Sequence, residues 1–440
     1  MTNIHDLDYL QRTLRQFERK PFPNVPIEKS PKEDIKKLYH SSFVTAIYRR
    51  DRKVLTNLEN HVMLDVACGT GVTTLELAFA NPGAKIVGID ISPESIKVAQ
   101  KRMKYHHISN CEFYVIAIEE LHSLGQKFDY INASDVLYLL PHLGQTLQCL
   151  GDVLNEKGII RGNLHSYYQR LPYYRCQELF KQIGLMEDVP KEQELNFVRV
   201  FFESLNDQTS LKRQAWGDNF NKNDDERLLC NHLLLNDKGF TIPQLLEALE
   251  FANLELFSMV DWRDWDWRKL FKKLDNLPED FMNRMECANL GEQLSFYELV
   301  EPNKRLLDFW CGHSQAHRQD SQSHWQDINP EKIKVYLHPC LKSDAFRKAV
   351  LESDTVAPLN LGDFFDFLIK EAWIEKEVLS AIFVPLLEDC CSLKQLIDRH
   401  FMISGIDPIT LNKMDYKDTE KQVLSMIKDH EGLGLLMVST

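Results

Sequence analysis

The stretch Val62–Ala78, Val-Met-Leu-Asp-Val-Ala-Cys-Gly-Thr-Gly-Val-Thr-Thr-Leu-Glu-Leu-Ala, constrains this chain more than any other. An apolar run carrying an acid near its end is followed by two glycines one residue apart and then by apolar residues at helical spacing. A buried strand, a tight turn and a helix start follow from that pattern. Such a turn lets bare backbone lie close against a nucleotide-like ligand at a helix N-terminus. A second unit comes next, Ala84-Lys-Ile-Val-Gly-Ile-Asp-Ile-Ser-Pro93, again a strand ending in an acid, with Ser92-Pro93 opening a helix. Asp90 stands 19 residues beyond Gly71, where an acid at the end of the second strand can accept hydrogen bonds from both hydroxyls of a ribose. The plainer reading, an acid facing solvent at a strand end, does not explain the glycine turn ahead of it.

The residues also discriminate between nucleotides. A dinucleotide fingerprint places a third glycine or alanine where Thr74 stands, which disfavours a pyrophosphate and with it a nicotinamide oxidoreductase. Asp65, just before the turn, would repel a diphosphate and attract an ammonium group. Leu64-Asp-Val-Ala-Cys-Gly-Thr-Gly71 together with Val87-Gly-Ile-Asp-Ile-Ser92 resembles the class I S-adenosylmethionine-dependent methyltransferase family. The resemblance implies an α/β, Rossmann-like methyltransferase sheet: seven strands, mostly parallel, the last inserted antiparallel. It implies that the loop Ala67, Cys68, Gly69, Thr70 and Gly71 cradles the methionine part of the cofactor. Asp65 then senses the amino end, and Asp90 with Ile91 holds the ribose. Where the family often has an acid after the third strand, this chain has Ala117-Ile118, leaving the adenine to Ile118 and to Glu119, the nearest acid. The family's usual first glycine is Ala67 here, a methyl tolerated if the backbone angles stay negative.

Strands are expected over Glu112–Ala117, over Phe128 onward, and over Ile159–Leu164 after a glycine break at Lys157-Gly158. Ligands gather at the carboxyl ends of parallel strands, so Ser134, Asp135 and Tyr138 are expected to line the cleft, with His165 at the acceptor edge. Asp135 or His165 is a candidate base, and Tyr138 a phenol that orients the acceptor. Residues 166–240 break the alternation and read as an inserted helical cap, either a lid over the acceptor or a surface decoration. The alternation resumes with a helix from Thr241, a strand Leu254–Val260 and a final strand at Leu306–Trp310. Trp262, Trp265 and Trp267 offer an aromatic cage or, more simply, packing. Ahead of the core, Lys20–Pro26 reads as a proline-containing linker and Asp34–Tyr48 as helix, with Tyr39 and Tyr48 candidates for the cofactor cleft or for core. The expected division is 1–59 helical lead-in, 60–165 cofactor-binding core, 166–240 cap, 241–318 remainder of the core and 319–440 a helical C-terminal domain. Within the last, Pro385–Ile397 faintly resembles winged-helix segments of some bacterial protein-lysine methyltransferases.

Cys311, His313, His317, His324, His338 and Cys340 lack the paired spacing of a zinc site, so no metal is expected. The chain has 440 residues, 44% hydrophobic and 27% charged, ordinary for a folded protein of several units. Its net charge of −13 gives no general reason to bind nucleic acid. Ten scattered cysteines, no leader-like segment and no membrane-length apolar run suggest a cytoplasmic protein away from membranes. The expected activity is methyl transfer from S-adenosyl-L-methionine to an O or N nucleophile of a peptide or protein. A small-molecule acceptor, or a regulatory protein that binds the cofactor without catalysis, is the alternative.

Overall fold

The computed structural model describes residue 15 and residues 22–217, 220–314, 328–352, 358–365, 373–404, 406, 412 and 414–440. Two compact units emerge: one formed by residues 1–28, 62–74 and 86–315, the other by 29–61, 75–85 and 316–440.

The first unit is built on one sheet. Its strands are β1 Val62–Val66, β2 Lys85–Asp90, β3 Cys111–Val115, β4 Phe128–Ala133, β5 Leu154–Ser166, β6 Gly239–Phe240, β7 Leu254–Met259 and β8 Leu306–His313. The spatial order is β3-β2-β1-β4-β5-β8-β7, with the short β6 beside the end of β5. β1 runs parallel to β4, β2 to β3 and β4 to β5, whereas β8 is antiparallel to both β5 and β7. Leu64, Val87, Ile131, Ile160 and Phe309 project from five strands into one core, which gives these segments their apolar sequences. The order reverses between β1 and β4, so the carboxyl ends of those strands open a crevice. Ser92 caps the helix Pro93–Tyr105 by accepting from the Ser95 N–H, as the Ser-Pro pair predicts. The antiparallel last strand and the mostly parallel sheet are those of a Rossmann-like methyltransferase.

One local feature differs from expectation. The Lys157-Gly158 break does not end an element: β5 runs through it, and its pairing with β4 jumps from Phe128↔Leu154 to Tyr130↔Ile159. The glycine serves a bulge instead of a turn, because a Cβ there would lie 2.6 Å from Leu154 Cδ1. The tryptophans take the packing role: Trp265 lies 5.2 Å from Tyr297, Trp267 6.1 Å from Phe281, and Trp262 tilts over Trp310.

Residues 166–240 contribute helices Tyr167–Gln182, Glu192–Ser204, Ser210–Ala215 and Asp225–His232. They enclose a core of their own around Phe180, Val198, Phe202, Trp216 and Leu228. Trp216 stacks on Phe202 at 4.7 Å, and His232 is fully buried with its edge against Phe202, Trp216 and Phe220.

In the second unit, the helical segment expected over Asp34–Tyr48 consists of Ile35–Ser41 and Phe43–Asp51. Ser42 divides them and its hydroxyl caps the second by accepting from the Thr45 N–H. Tyr39 and Tyr48 are core residues there. The Tyr39 hydroxyl donates to the Gly434 carbonyl at 2.8 Å; that of Tyr48 donates to Glu431 and accepts from the Val438 N–H. The C-terminal part is not purely helical, because strands Lys334–Leu337, Cys391–Ser392 and Leu436–Ser439 make a small antiparallel sheet. Strands of two to four residues are too short to show a period-two pattern in sequence. His338 bonds Thr45 Oγ1 at 2.9 Å, and no metal-sized cluster of ligands occurs among the described residues. His317 and His324 lie outside them. No helix among the described residues is long and apolar enough to cross a membrane.

His232 makes the helical insertion acid-sensitive. Burial pushes its imidazole down to about 4 from 6.5, only partly opposed by the Ala215 carbonyl. Protonation therefore favours the unfolded chain, and the stability present above pH 6.5 is lost as the pH falls toward 4. Thermal unfolding across that range should show a steep loss for the wild type and a shallower one for His232→Phe, which keeps the aromatic packing without the titrating nitrogen.

Candidate active site

The turn after β1 is held in a conformation that glycine favours. Ala67, Gly69 and Gly71 have φ of 51°, 51° and 77°. The negative angles expected of Ala67 are thus not found; its methyl sits in a left-handed position costing about 1–2 kcal/mol. A Cβ on Gly71 would lie 2.8 Å from that of Ala99, and one on Gly69 only 2.3 Å from the Phe22 carbonyl oxygen. That second approach exists because residues 22–27, which take in the described part of the linker read as Lys20–Pro26, form a strap over the turn. The Thr70 N–H donates to the Phe22 carbonyl at 3.1 Å and the Thr70 hydroxyl to that of Pro23 at 2.8 Å. Arg102, almost wholly buried, donates to the carbonyls of Thr70, Val25 and Pro26 at 2.9, 2.8 and 2.8 Å.

Beneath the turn lies Asp65, fully buried at the end of β1. One oxygen accepts from the hydroxyls of Thr73 and Thr74 at 2.8 and 2.6 Å, the other from the Asn132 amide at 2.8 Å. Burial raises its carboxyl, while those three donors favour the charged form. Asp65 therefore ties β1 to the following helix and to β4, and does not line the cavity above. Thr74, noted in sequence only for not being glycine, has a positive role.

That cavity, about 280 Å³, opens at the carboxyl ends of β1 and β4. Of the expected cofactor residues, Ala67, Gly69, Asp90, Ile91, Ile118 and Glu119 line it, whereas Asp65, Cys68, Thr70, Gly71 and Ser134 do not. Cys68 is buried, its thiol pushed well up by desolvation. The Ser134 hydroxyl donates to Asn132 at 2.8 Å. Asp90 accepts the Gly69 N–H on one oxygen at 2.9 Å and the Ser92 N–H on the other at 2.8 Å. Each oxygen keeps lone-pair capacity for a further donor, so the carboxylate can take two hydroxyls at once. Glu120, not Glu119, accepts the Ala117 N–H that opens the next turn, at 3.1 Å. Ile91, Ile116 and Ile118 supply apolar walls that fit a flat base. An acid for a diol and an apolar slot beside the glycine turn fit a nucleoside ligand.

At the far end of the cavity stand Asp135, Tyr138 and Arg305. Asp135 has φ 56° and its N–H donates to Asn163 at 2.8 Å, which turns its carboxylate to within 3.3 Å of the Tyr138 hydroxyl. Burial, then Asp135, pushes the Tyr138 phenol well up, so it stays a donor. His165 does not line the cavity. It is fully buried, stacked against Tyr138 at 3.6 Å, with Nδ1 2.6 Å from Asp237 and Nε2 3.1 Å from an Arg305 nitrogen. A guanidinium only donates, so Nε2 accepts and the proton sits on Nδ1. Burial pushes the ring down to about 4 against the upward pull of Asp237, and its acceptor nitrogen is occupied. Arg170 reaches the other Asp237 oxygen at 2.9 Å.

A family model described as a methyltransferase domain matches residues 57–226. Over those residues the chain carries a methyltransferase domain. It is 24% identical over 327 residues to an uncharacterized Synechococcus protein, covering 72% of this chain and 75% of that one. It is 41% identical to magnesium-protoporphyrin O-methyltransferase of Rhodobacter capsulatus, but over 91 residues, 20% of this chain and 39% of that enzyme. Among solved structures, PKMT2 from Rickettsia typhi shares the fold at 17% identity and a TM-score of 0.61, covering 91% of this chain and 75% of that one. The same protein in complex with AdoHcy matches 95% of this chain and 77% of its own, again at a TM-score of 0.61.

Sequence reasoning missed the residues that act on the methyltransferase site from a distance along the chain. Phe22 and Arg305 line the cavity from 45 or more positions away from the glycine turn, and Asn132, Asn163 and Asp237 act through other side chains. Only Asn132 had a signal, as a polar residue near the end of a buried strand.

Two substitutions test the turn. Thr74→Val should destabilise the first unit by about 1–3 kcal/mol in denaturant unfolding, since it strips a donor from a buried carboxylate. Ala67→Gly should stabilise by up to about 1 kcal/mol in the same measurement, by relieving the left-handed methyl.

Proposed function

We propose that this protein transfers the methyl group of S-adenosyl-L-methionine to an oxygen or nitrogen nucleophile of a peptide or protein. The observation that carries the reading is what adjoins the cavity: it extends from Asp90 to Tyr138, and at Phe22, Cys230 and Arg305 it borders an open groove of about 570 Å³ along the helical insertion. An enclosed pocket would suit a free metabolite better than a chain.

In this reading Asp90 holds the ribose hydroxyls, Ile91, Ile118 and Glu119 bound the adenine, and Ala67–Gly71 flank the methionine part, with Asp65, Ser134, Cys68 and Thr70 holding that frame. The chemistry supplied there is a methyl already activated on a sulfonium, so the protein's task is to align a nucleophile in line with it. The Tyr138 hydroxyl, kept protonated, orients the acceptor, and Asp135 is placed to take its proton. His165 is a positioning residue that fixes Arg305 and backs the Tyr138 ring. The domain division that accompanies the reading is 1–59, 60–165, 166–240, 241–318 and 319–440, with the insertion presenting the acceptor. A small-molecule acceptor is the second reading, favoured by the local similarity to magnesium-protoporphyrin O-methyltransferase.

Asp90→Ala should weaken S-adenosylmethionine binding by about 100-fold or more, as two charge-assisted hydrogen bonds are lost. Calorimetric titration of wild type and variant checks this, and equal affinities would remove Asp90 from the ribose. Incubation with methyl-labelled cofactor and size-fractionated lysate then separates the acceptors: label in the macromolecular fraction is expected, and label confined to small molecules would transfer the assignment to the second reading.

A further inference from the structure

Cavity and groove share three residues, Phe22, Cys230 and Arg305, which form a collar between the place of methyl transfer and the outside. Arg305 is the charged member. Its carbonyl accepts the Ser166 N–H at 3.0 Å, which fixes the backbone, and its one side-chain bond goes to His165 Nε2 at 3.1 Å. His165 is neutral in that role, and among the described residues no carboxylate pairs with Arg305. Two neighbouring arginines are engaged, and Arg227, which also lines the groove, lies over the Phe220 ring at 5.1 Å. Arg170 donates to Asp237, Asn231 and the Cys230 carbonyl, and Arg161 forks onto Asp308 at 3.1 and 2.8 Å. Arg305 thus makes no direct ion pair among the described residues, although Asp135 lines the same cavity and Asp224 and Glu226 the same groove; one of its five N–H donors is engaged and the rest can serve a ligand.

The support beneath it is built to keep that geometry. Asp237 fixes the His165 tautomer from one side, Tyr138 stacks on the ring, and Arg170 with Gln177 holds Asp237 in turn at 2.9 and 3.0 Å. A buried network of this kind behind a single exposed guanidinium is more than a surface charge needs, since surface arginines are ordinarily left to solvent. From this we infer that Arg305 docks a carboxylate carried by the methyl acceptor, holding it at the collar while the acceptor's apolar part enters the chamber beside Tyr138. A planar carboxylate matches the guanidinium fork, and a bidentate pair fixes direction as well as position. The inference rests on the methyl-transfer reading and narrows its substrate class to acidic acceptors, peptide or small molecule alike.

The test uses full-length protein saturated with AdoHcy, with hexanoate, hexanol and hexylamine as probes in thermal unfolding. Hexanoate should raise the Tm of the wild type while hexanol and hexylamine do not. The rise should vanish in Arg305→Gln and persist in part in Arg305→Lys. AdoHcy affinity of Arg305→Gln should stay within about threefold of wild type, and KM for an acidic peptide fraction should rise about 10- to 100-fold with kcat less affected. An equal hexanoate response in Arg305→Gln, no response in the wild type, or stabilisation by hexylamine instead overturns the inference. So does a loss of AdoHcy binding in Arg305→Gln, which would assign the guanidinium to the cofactor's own carboxylate. Failure of the wild type to bind AdoHcy at all is a different result, and overturns the methyl-transfer reading itself.

Discussion

The Asp65 carboxylate is the constraint on which the site depends. It sits where burial opposes charge, and it stays there because Thr73, Thr74 and Asn132 satisfy both of its oxygens. Removing one donor would leave a buried acceptor short, whereas the intact set welds the end of β1, the first turn of the next helix and β4. Those three elements meet where the sheet reverses its order, at the end of the cavity lined by Ala67 and Gly69. The same Asn132 passes the constraint on to Ser134 at the start of the loop that carries Asp135.

A second layer of support works in the same way at the other end. Asp237 is held below its usual range against the cost of burial by His165, Arg170 and Gln177, and so organises a chain that ends on Arg305. One buried acid braces the glycine-turn end of the cavity and another the Arg305 end. In both, residues that do not line the cavity decide where those that do are placed.

What was legible in sequence was local. The strand-turn-helix of Val62–Ala78 and the acid at Asp90 are read from neighbours a few positions apart, because periodicity and glycine spacing are short-range signals. The mostly parallel sheet and its antiparallel last strand came from family resemblance, not from pattern, and the strand order was not read at all. The left-handed angle of Ala67 was missed because a methyl there goes against the local steric preference, and only the surrounding bonds impose it. His165 looked like an edge residue because it ends an apolar run. Nothing nearby in sequence shows that Asp237, 72 positions on, and Arg305 claim its two nitrogens.

The strap of residues 22–27 bears on where this enzyme begins and ends as a working piece. The family match starts at residue 57 and stops at 226, a span without the carbonyls that Thr70 and Arg102 bond and without Arg305, β7 and β8. A fragment trimmed to that span would expose the glycine turn and leave a buried guanidinium with two of its three acceptors gone. During synthesis the strap leaves the ribosome well before the turn it roofs, so the turn can be covered as soon as it forms. The smallest autonomous unit is therefore set by the residues that close over the motif, not by the motif itself.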